Sequence, residues 1–449
     1  MAVDYQPPEC LSKPIEVPSK LLMGAGPSNA AENVLRAGSL PLLGHLHTEF
    51  VQIMDDVKQG IQYAFQTKNN LTLAISGTGH AGMEAALCNL IERNDVVLIG
   101  INGIWGERAA DMANRQGADV RTLTKTAGEN FKMGEIEAAL VQHKPAIFFL
   151  AQGESSTGVV QPIEGVGALC SKYGCLLLVD AVASLGGEPF YMDRWQVDVV
   201  YTGSQKVLGA PPGTAPISFG PRAVAKIAAR KTPISSFYFD MNWLGNYWGC
   251  DSQPRKYHHT APISSIYALR EALALLANEG LENSWNRHRQ CRDRLINGLA
   301  KLNLKPLASD PAARLTCITA IQVPDGVDWK SVTTHAMSMR VEIAGGLGST
   351  AGRIWRVGLM GQNATDERVD RVLDVLAESI KSSTTPPVMG RLKMMMFFNV
   401  YVFHFKNSLV VRFLLSDRVH VDFIYRCPGQ CPRFNETVRF CFFKIFFSN

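Results

Sequence analysis

From about Leu21 to about Gly280, short apolar runs alternate with amphipathic stretches. The clearest runs are Val96–Gly100, Ala146–Leu150, Cys175–Asp180, Asp198–Tyr201 and Ala215–Phe219. Between them, helical spacing of apolar residues marks Ala81–Glu92, Trp105–Gln116, Gly134–Gln142 and Ile163–Tyr173. This alternation predicts an α/β layered domain over 21–280 with a largely parallel sheet. From Leu281 the pattern changes. A long helical stretch, Ser284–Leu302, precedes a run at Leu315–Val323, a helix near Trp329–Met339, a run at Arg353–Val357 and a helix at Thr365–Lys381. That sequence of elements predicts a smaller α+β domain over 281–386.

The two ends read differently. Residues 1–20 are dotted with Pro and lack an apolar period, which predicts an extended arm lying on another surface. Residues 387–449 hold more than half of the chain's 21 Phe, without the helical period or turn signals of the body. We read this tail as lying outside the fold, an alternative C-terminus or read-through of non-coding sequence.

Charge follows the same division. The net charge is +5, yet the tail from Arg391 carries nine Lys/Arg against three Asp/Glu. The other 390 residues are close to neutral. The body therefore has no electrostatic footprint for nucleic acid or an acidic membrane. No apolar run reaches membrane-spanning length, and the start has no secretory or transit pattern. The ten cysteines show no zinc spacing; Cys427 and Cys431 are the only close pair. Free thiols in a reducing compartment are the expectation.

Chemistry gathers where runs end. In a parallel sheet, ligands bind beyond the carboxyl ends of strands. Asp180 closes Cys-Leu-Leu-Leu-Val-Asp, and Lys206 follows Asp-Val-Val-Tyr-Thr-Gly-Ser-Gln. Alone, Asp180 could be a helix cap and Lys206 a solvated charge. Together they could serve one ligand. A lysine against apolar walls loses stabilisation of its charged form and becomes nucleophilic. Pyridoxal phosphate needs such a lysine, as an imine, and an acidic partner for its pyridine nitrogen. Ser76-Gly77-Thr78-Gly79-His80 stands before a helix and suits a phosphate, although a plain tight turn has the same composition. Trp105 could stack on a flat ring or simply cap the core. Ser155 lies past another strand end, as a hydrogen-bond donor or an ordinary turn serine. Arg356 could grip a carboxylate through paired hydrogen bonds, or be a solvated strand arginine. His258-His259 lacks further metal ligands and reads as structural or as polar loop residues.

In order along about residues 10–381, the motifs resemble the class V family of pyridoxal-phosphate aminotransferases, of fold type I. The matching stretches include Gly-Ala-Gly-Pro-Ser-Asn from Gly24, Ser-Gly-Thr-Gly-His from Ser76 and Asn-Gly-Ile-Trp-Gly from Asn102. They continue with Gly-Glu-Ser-Ser-Thr-Gly-Val from Gly153, Leu-Leu-Val-Asp-Ala-Val from Leu177, Gly-Ser-Gln-Lys from Gly203 and Tyr-His-His-Thr from Tyr257. The resemblance implies a seven-stranded, mostly parallel sheet. It implies that Lys206 carries the cofactor, Asp180 pairs with the ring nitrogen, Trp105 stacks and Ser155 touches the polar edge. Thr78, Gly79, His80 and Gln205 would surround the phosphate. Tyr257 and Thr260 would reach it from a partner subunit, implying a homodimer with shared sites. Arg356 would bind the carboxylate of small amino and oxo acids such as alanine, serine, pyruvate and glyoxylate.

Two departures stand out. Gly209 sits where a polar residue such as Asn is expected. The resemblance implies a peroxisomal address, but the chain ends Phe-Ser-Asn, which leaves cytoplasm and mitochondrion as alternatives. Two further readings compete. A cysteine desulfurase of the same class would need a mobile cysteine nucleophile, and no cysteine here has that context. A non-catalytic binding or interaction protein, with the tail as its partner surface, would require loss of the cofactor residues, yet Asp180 and Lys206 are both present.

Overall fold

The computed structural model describes residues 5–384 and the three strands over 399–405, 408–416 and 419–426. The chain divides into two units, Met1–Thr385 and Pro386–Asn449.

The first unit is built on a seven-stranded sheet. Its strands are β1 (Leu71–Ser76), β2 (Val96–Ile101), β3 (Asp119–Thr124), β4 (Ile147–Ala151), β5 (Leu176–Asp180), β6 (Val199–Tyr201) and β7 (Thr214–Phe219). The order is β1-β7-β6-β5-β4-β2-β3. β7 runs antiparallel to both of its neighbours, and the other pairings are parallel. The central strands β4, β5 and β6 are buried along their whole length. Helices on both faces of a parallel sheet remove the need for polar alternation, and this is why these strands read as continuous apolar runs. The edge strand β3, Asp-Val-Arg-Thr-Leu-Thr, is partly exposed and escapes a search for such runs. The predicted helices appear as Gly79–Leu90, Ile104–Arg115, Met133–His143 and Val166–Lys172.

A second apolar core lies under a three-stranded antiparallel sheet of Ile318–Gln322, Ile354–Gly358 and Ala344–Gly345. Helices Leu281–Lys301, Trp329–Ser338 and Asp366–Thr384 belong to this part. The first turns of Leu281–Lys301 reach the large core through Leu281 and Trp285, while Cys291, Leu295 and Leu299 fill the small one. One helix thus joins the two cores. Leu21–Leu22 pairs in parallel with Val341–Glu342, so the chain enters alongside the small sheet before it builds the large one.

Residues 5–20 are exposed throughout, with one 3-10 turn at Glu9–Leu11. In the second unit, Asn399–Phe405, Ser408–Ser416 and Val419–Arg426 pair as an antiparallel sheet. The sequence pattern marks no elements there. The Cys427/Cys431 pair and the Phe-Ser-Asn end lie outside the described residues. Among the described residues, no helix is long and apolar enough to cross a membrane, and no cluster of His, Cys, Asp or Glu could hold a metal ion.

Candidate active site

The carboxyl ends of β4, β5 and β6 open into a cavity of about 400 Å³. β5 delivers Asp180, the turn after β6 delivers Gln205 and Lys206, and the loop after β4 delivers Ser155. The segment after β1 brings Thr78, Gly79 and His80, and helix Ile104–Arg115 brings Trp105. Arg356 comes from the small sheet. Nine of the eleven predicted site residues therefore line one cavity. Tyr257 and Thr260 do not line it. Both are exposed, with their hydroxyls 3.4 Å apart.

Lys206 is 9% exposed, and Nζ donates to the carbonyl of Ala25. Burial, with Arg356 nearby, lowers its pKa to about 8, against the pull of Asp180 and Glu342. Gly26 makes this berth. Its φ is +101°, a conformation other residues resist, and a Cβ there would stand 2.4 Å from Lys206 Nζ. The lysine is further held by Ser28, whose hydroxyl donates to the Lys206 carbonyl at 2.8 Å.

Asp180 is 3% exposed. Its Oδ1 accepts from the Val182 N–H and its Oδ2 from the Tyr201 hydroxyl, each at 2.7 Å. Burial raises its pKa to about 6, although both hydrogen bonds and Lys206 oppose the rise. No cation lies within ion-pair distance of it among the described residues. Its neighbour Glu154 is fully buried, and burial lifts it to about 7. Glu154 accepts from the Trp105 N–H at 3.2 Å and from the Ser156 N–H and hydroxyl at 2.9 and 2.6 Å. These three hydrogen bonds favour the carboxylate form and oppose the effect of burial. Glu154 thereby caps the helix that carries Trp105, whose own N-cap, Gly103, has no side chain.

Trp105 is fixed at its other end by its indole Nε1–H, which donates to Ser155 Oγ at 2.6 Å. The His80 ring meets it edge-on, centroids 5.3 Å apart. Arg356 is 6% exposed and donates through Nε to Gly345 and through Nη1 to the Ser155 carbonyl. A guanidinium has five N–H groups, so Arg356 keeps donors for a ligand.

Three contributors carried no sequence signal. Tyr201 closes an apolar strand, and Glu154 and Glu342 each close a two-residue strand, Gly153–Glu154 and Val341–Glu342. His258 and His259 contact each other and their surroundings. Their Nδ1 atoms lie 2.8 Å apart, and His259 Nε2 is 2.6 Å from Ser76 Oγ. Gly209 has φ +69°. Asn and Gly both tolerate that region, which accounts for glycine where Asn was expected.

The profile of the class V aminotransferases matches residues 26–372. An alanine–glyoxylate aminotransferase of Felis catus is 54% identical over 376 residues, 84% of this chain and 91% of its own. An (S)-ureidoglycine–glyoxylate transaminase of Bacillus subtilis is 36% identical, over 79% of this chain and 89% of its own. The crystal structure of an alanine–glyoxylate aminotransferase from Nostoc sp. superposes with a TM-score of 0.80 at 48% identity, covering 82% of this chain and 97% of that one. A seven-stranded sheet with a lysine and an aspartate at neighbouring strand ends, matched at this identity over this length, has one assignment: the chain belongs to the class V aminotransferase family.

Proposed function

We propose that the protein moves the amino group of alanine or serine to glyoxylate, with pyridoxal phosphate held through Lys206. The observation that carries this reading is the meeting of buried Lys206, Asp180 and Arg356 in one cavity. The residues fit the cofactor. Asp180 is a buried carboxylate without a cation, and a protonated ring nitrogen would supply one. Helix Gly79–Leu90 begins without a side-chain cap, leaving N–H groups for phosphate oxygens. Gln205 has a buried amide oxygen with no partner, an orphan that an amide flip toward a phosphate would resolve.

When bound, pyridoxal phosphate supplies a ring that takes up the electron pair left by the departing α-proton. Asp180 would keep the ring nitrogen protonated. Lys206, whose ammonium form burial disfavours, would lift the α-proton and return it. Arg356 would bind the substrate carboxylate with the N–H groups not used on Gly345 and Ser155. Trp105, locked at both ends, would cover the ring and keep water off it. Relatives named for glyoxylate with different donors support glyoxylate as the shared acceptor.

The proposal extends to a homodimer in which Tyr257 and Thr260 complete the neighbour's phosphate site. It rests on the resemblance and on the exposure of these two residues and of the arm over 5–20. A peroxisomal setting rests on the resemblance alone. The test is glyoxylate offered with a panel of amino donors. Glycine should form fastest with alanine or serine; no glycine from any donor would overturn the proposal.

A further inference from the structure

Glu342 is a second charged wall of the cavity, carried by the short strand Val341–Glu342 that pairs with Leu21–Leu22. Its Oε2 is buried and has no hydrogen-bond partner. No cation stands within ion-pair distance of it among the described residues; burial raises its pKa, opposed by the Gly24 N–H and by the more distant Arg356, Lys20 and Lys206. The backbone of Gly24 packs against the carboxylate, so closely that a Cβ there would lie 2.9 Å from Oε1. The group is thus held in place with one oxygen left over. Arg356 likewise keeps spare donors. An unpaired buried carboxylate oxygen is costly unless something pairs with it.

An amino acid arrives as a zwitterion, with a carboxylate and an ammonium one carbon apart. Arg356 matches the first charge. We propose that Glu342 receives the second, docking the ammonium of the amino donor before it reaches Lys206. This rests on the transamination reading and refines it. An oxo acid has no ammonium, so Glu342 should matter to the donor and not to the acceptor. A residue that merely supported the fold would affect both alike.

The matched probes are 2-methylalanine and 2-methylpropanoate, which share a skeleton and a carboxylate and differ in the ammonium. Their dissociation constants are measured by calorimetry on the cofactor-loaded protein. A hydrogen bond to a charged group predicts that Glu342→Gln weakens 2-methylalanine about tenfold or more and leaves 2-methylpropanoate unchanged or tighter. Glu342→Asp, which withdraws the oxygen by one methylene, should give a smaller loss in the same direction. In turnover, KM for alanine should rise and KM for glyoxylate should not. Equal weakening of both probes, or of neither, overturns the inference. If wild type transaminates yet Glu342→Gln treats the probes alike, only this inference falls. If wild type binds neither probe and makes no glycine, the transamination reading falls with it.

Discussion

The hydroxyl of Tyr201 donates to Oδ2 of Asp180 at 2.7 Å, from the position directly opposite it on the neighbouring strand. Both residues are buried, so the bond forms without competition from water. Register alone places it: β5 and β6 pair in parallel with Asp180 against Tyr201.

Tyr201→Phe removes one of the two donors to Asp180. That donor lowers the Asp180 pKa, so its loss must raise it further. The acid limb of the kcat/KM profile should move to higher pH, with activity down about tenfold near neutrality. An unmoved limb would show that Tyr201 does not support Asp180.

Asp180→Asn separates stability from function. In the cofactor-free protein, burial raises the Asp180 pKa from 3.8 to about 6, so the folded state binds the proton more tightly than the unfolded chain. Stability on this account is present below about pH 4 and is lost as pH rises through about 6. Asparagine removes that loss. The variant without cofactor should be more stable at pH 7.5 by about 2–3 kcal/mol, read by denaturant unfolding. Transamination should collapse. A destabilised cofactor-free variant would contradict the electrostatic account of this site.

Ser155→Ala leaves the Trp105 indole N–H without its acceptor. The ring then has one anchor, the Glu154 contact at its backbone. The dissociation constant for pyridoxal phosphate should rise about fivefold to tenfold, measured by fluorescence titration. Unchanged affinity would mean that Trp105 is held by packing alone.

Much of this site was legible in the sequence. Asp180 and Lys206 stand out because central parallel strands are buried on both faces, and a charge ending an apolar run is conspicuous. Trp105, Ser155 and the Thr78–His80 loop were ambiguous singly, and only the motif order along the chain resolved them. Tyr201 was invisible because a buried tyrosine in an apolar strand looks like core until its hydrogen-bond partner is known. Glu154 was hidden similarly, since nothing local reveals that it caps a helix some 50 residues earlier. Glu342 needed the pairing of Leu22 with it, a contact across most of the chain. The edge strand β3 was missed because an exposed strand keeps its polar residues.

Gly26→Ala tests the lysine's berth. A methyl group there meets Lys206 Nζ, and φ +101° strains any Cβ. Stability should fall by more than about 1 kcal/mol. The rate of cofactor attachment should also fall, because the displaced amine no longer lies against Ala25. A variant that loads cofactor at the wild-type rate would show that the berth is not selective.

The most direct test replaces Lys206 by Ala and follows both the bound cofactor and turnover. The account predicts that the visible absorbance of lysine-bound pyridoxal phosphate disappears, that borohydride no longer fixes the cofactor to the chain, and that glycine formation from alanine and glyoxylate falls by several orders of magnitude. A variant that kept the absorbance or turned over at a rate near wild type would contradict it.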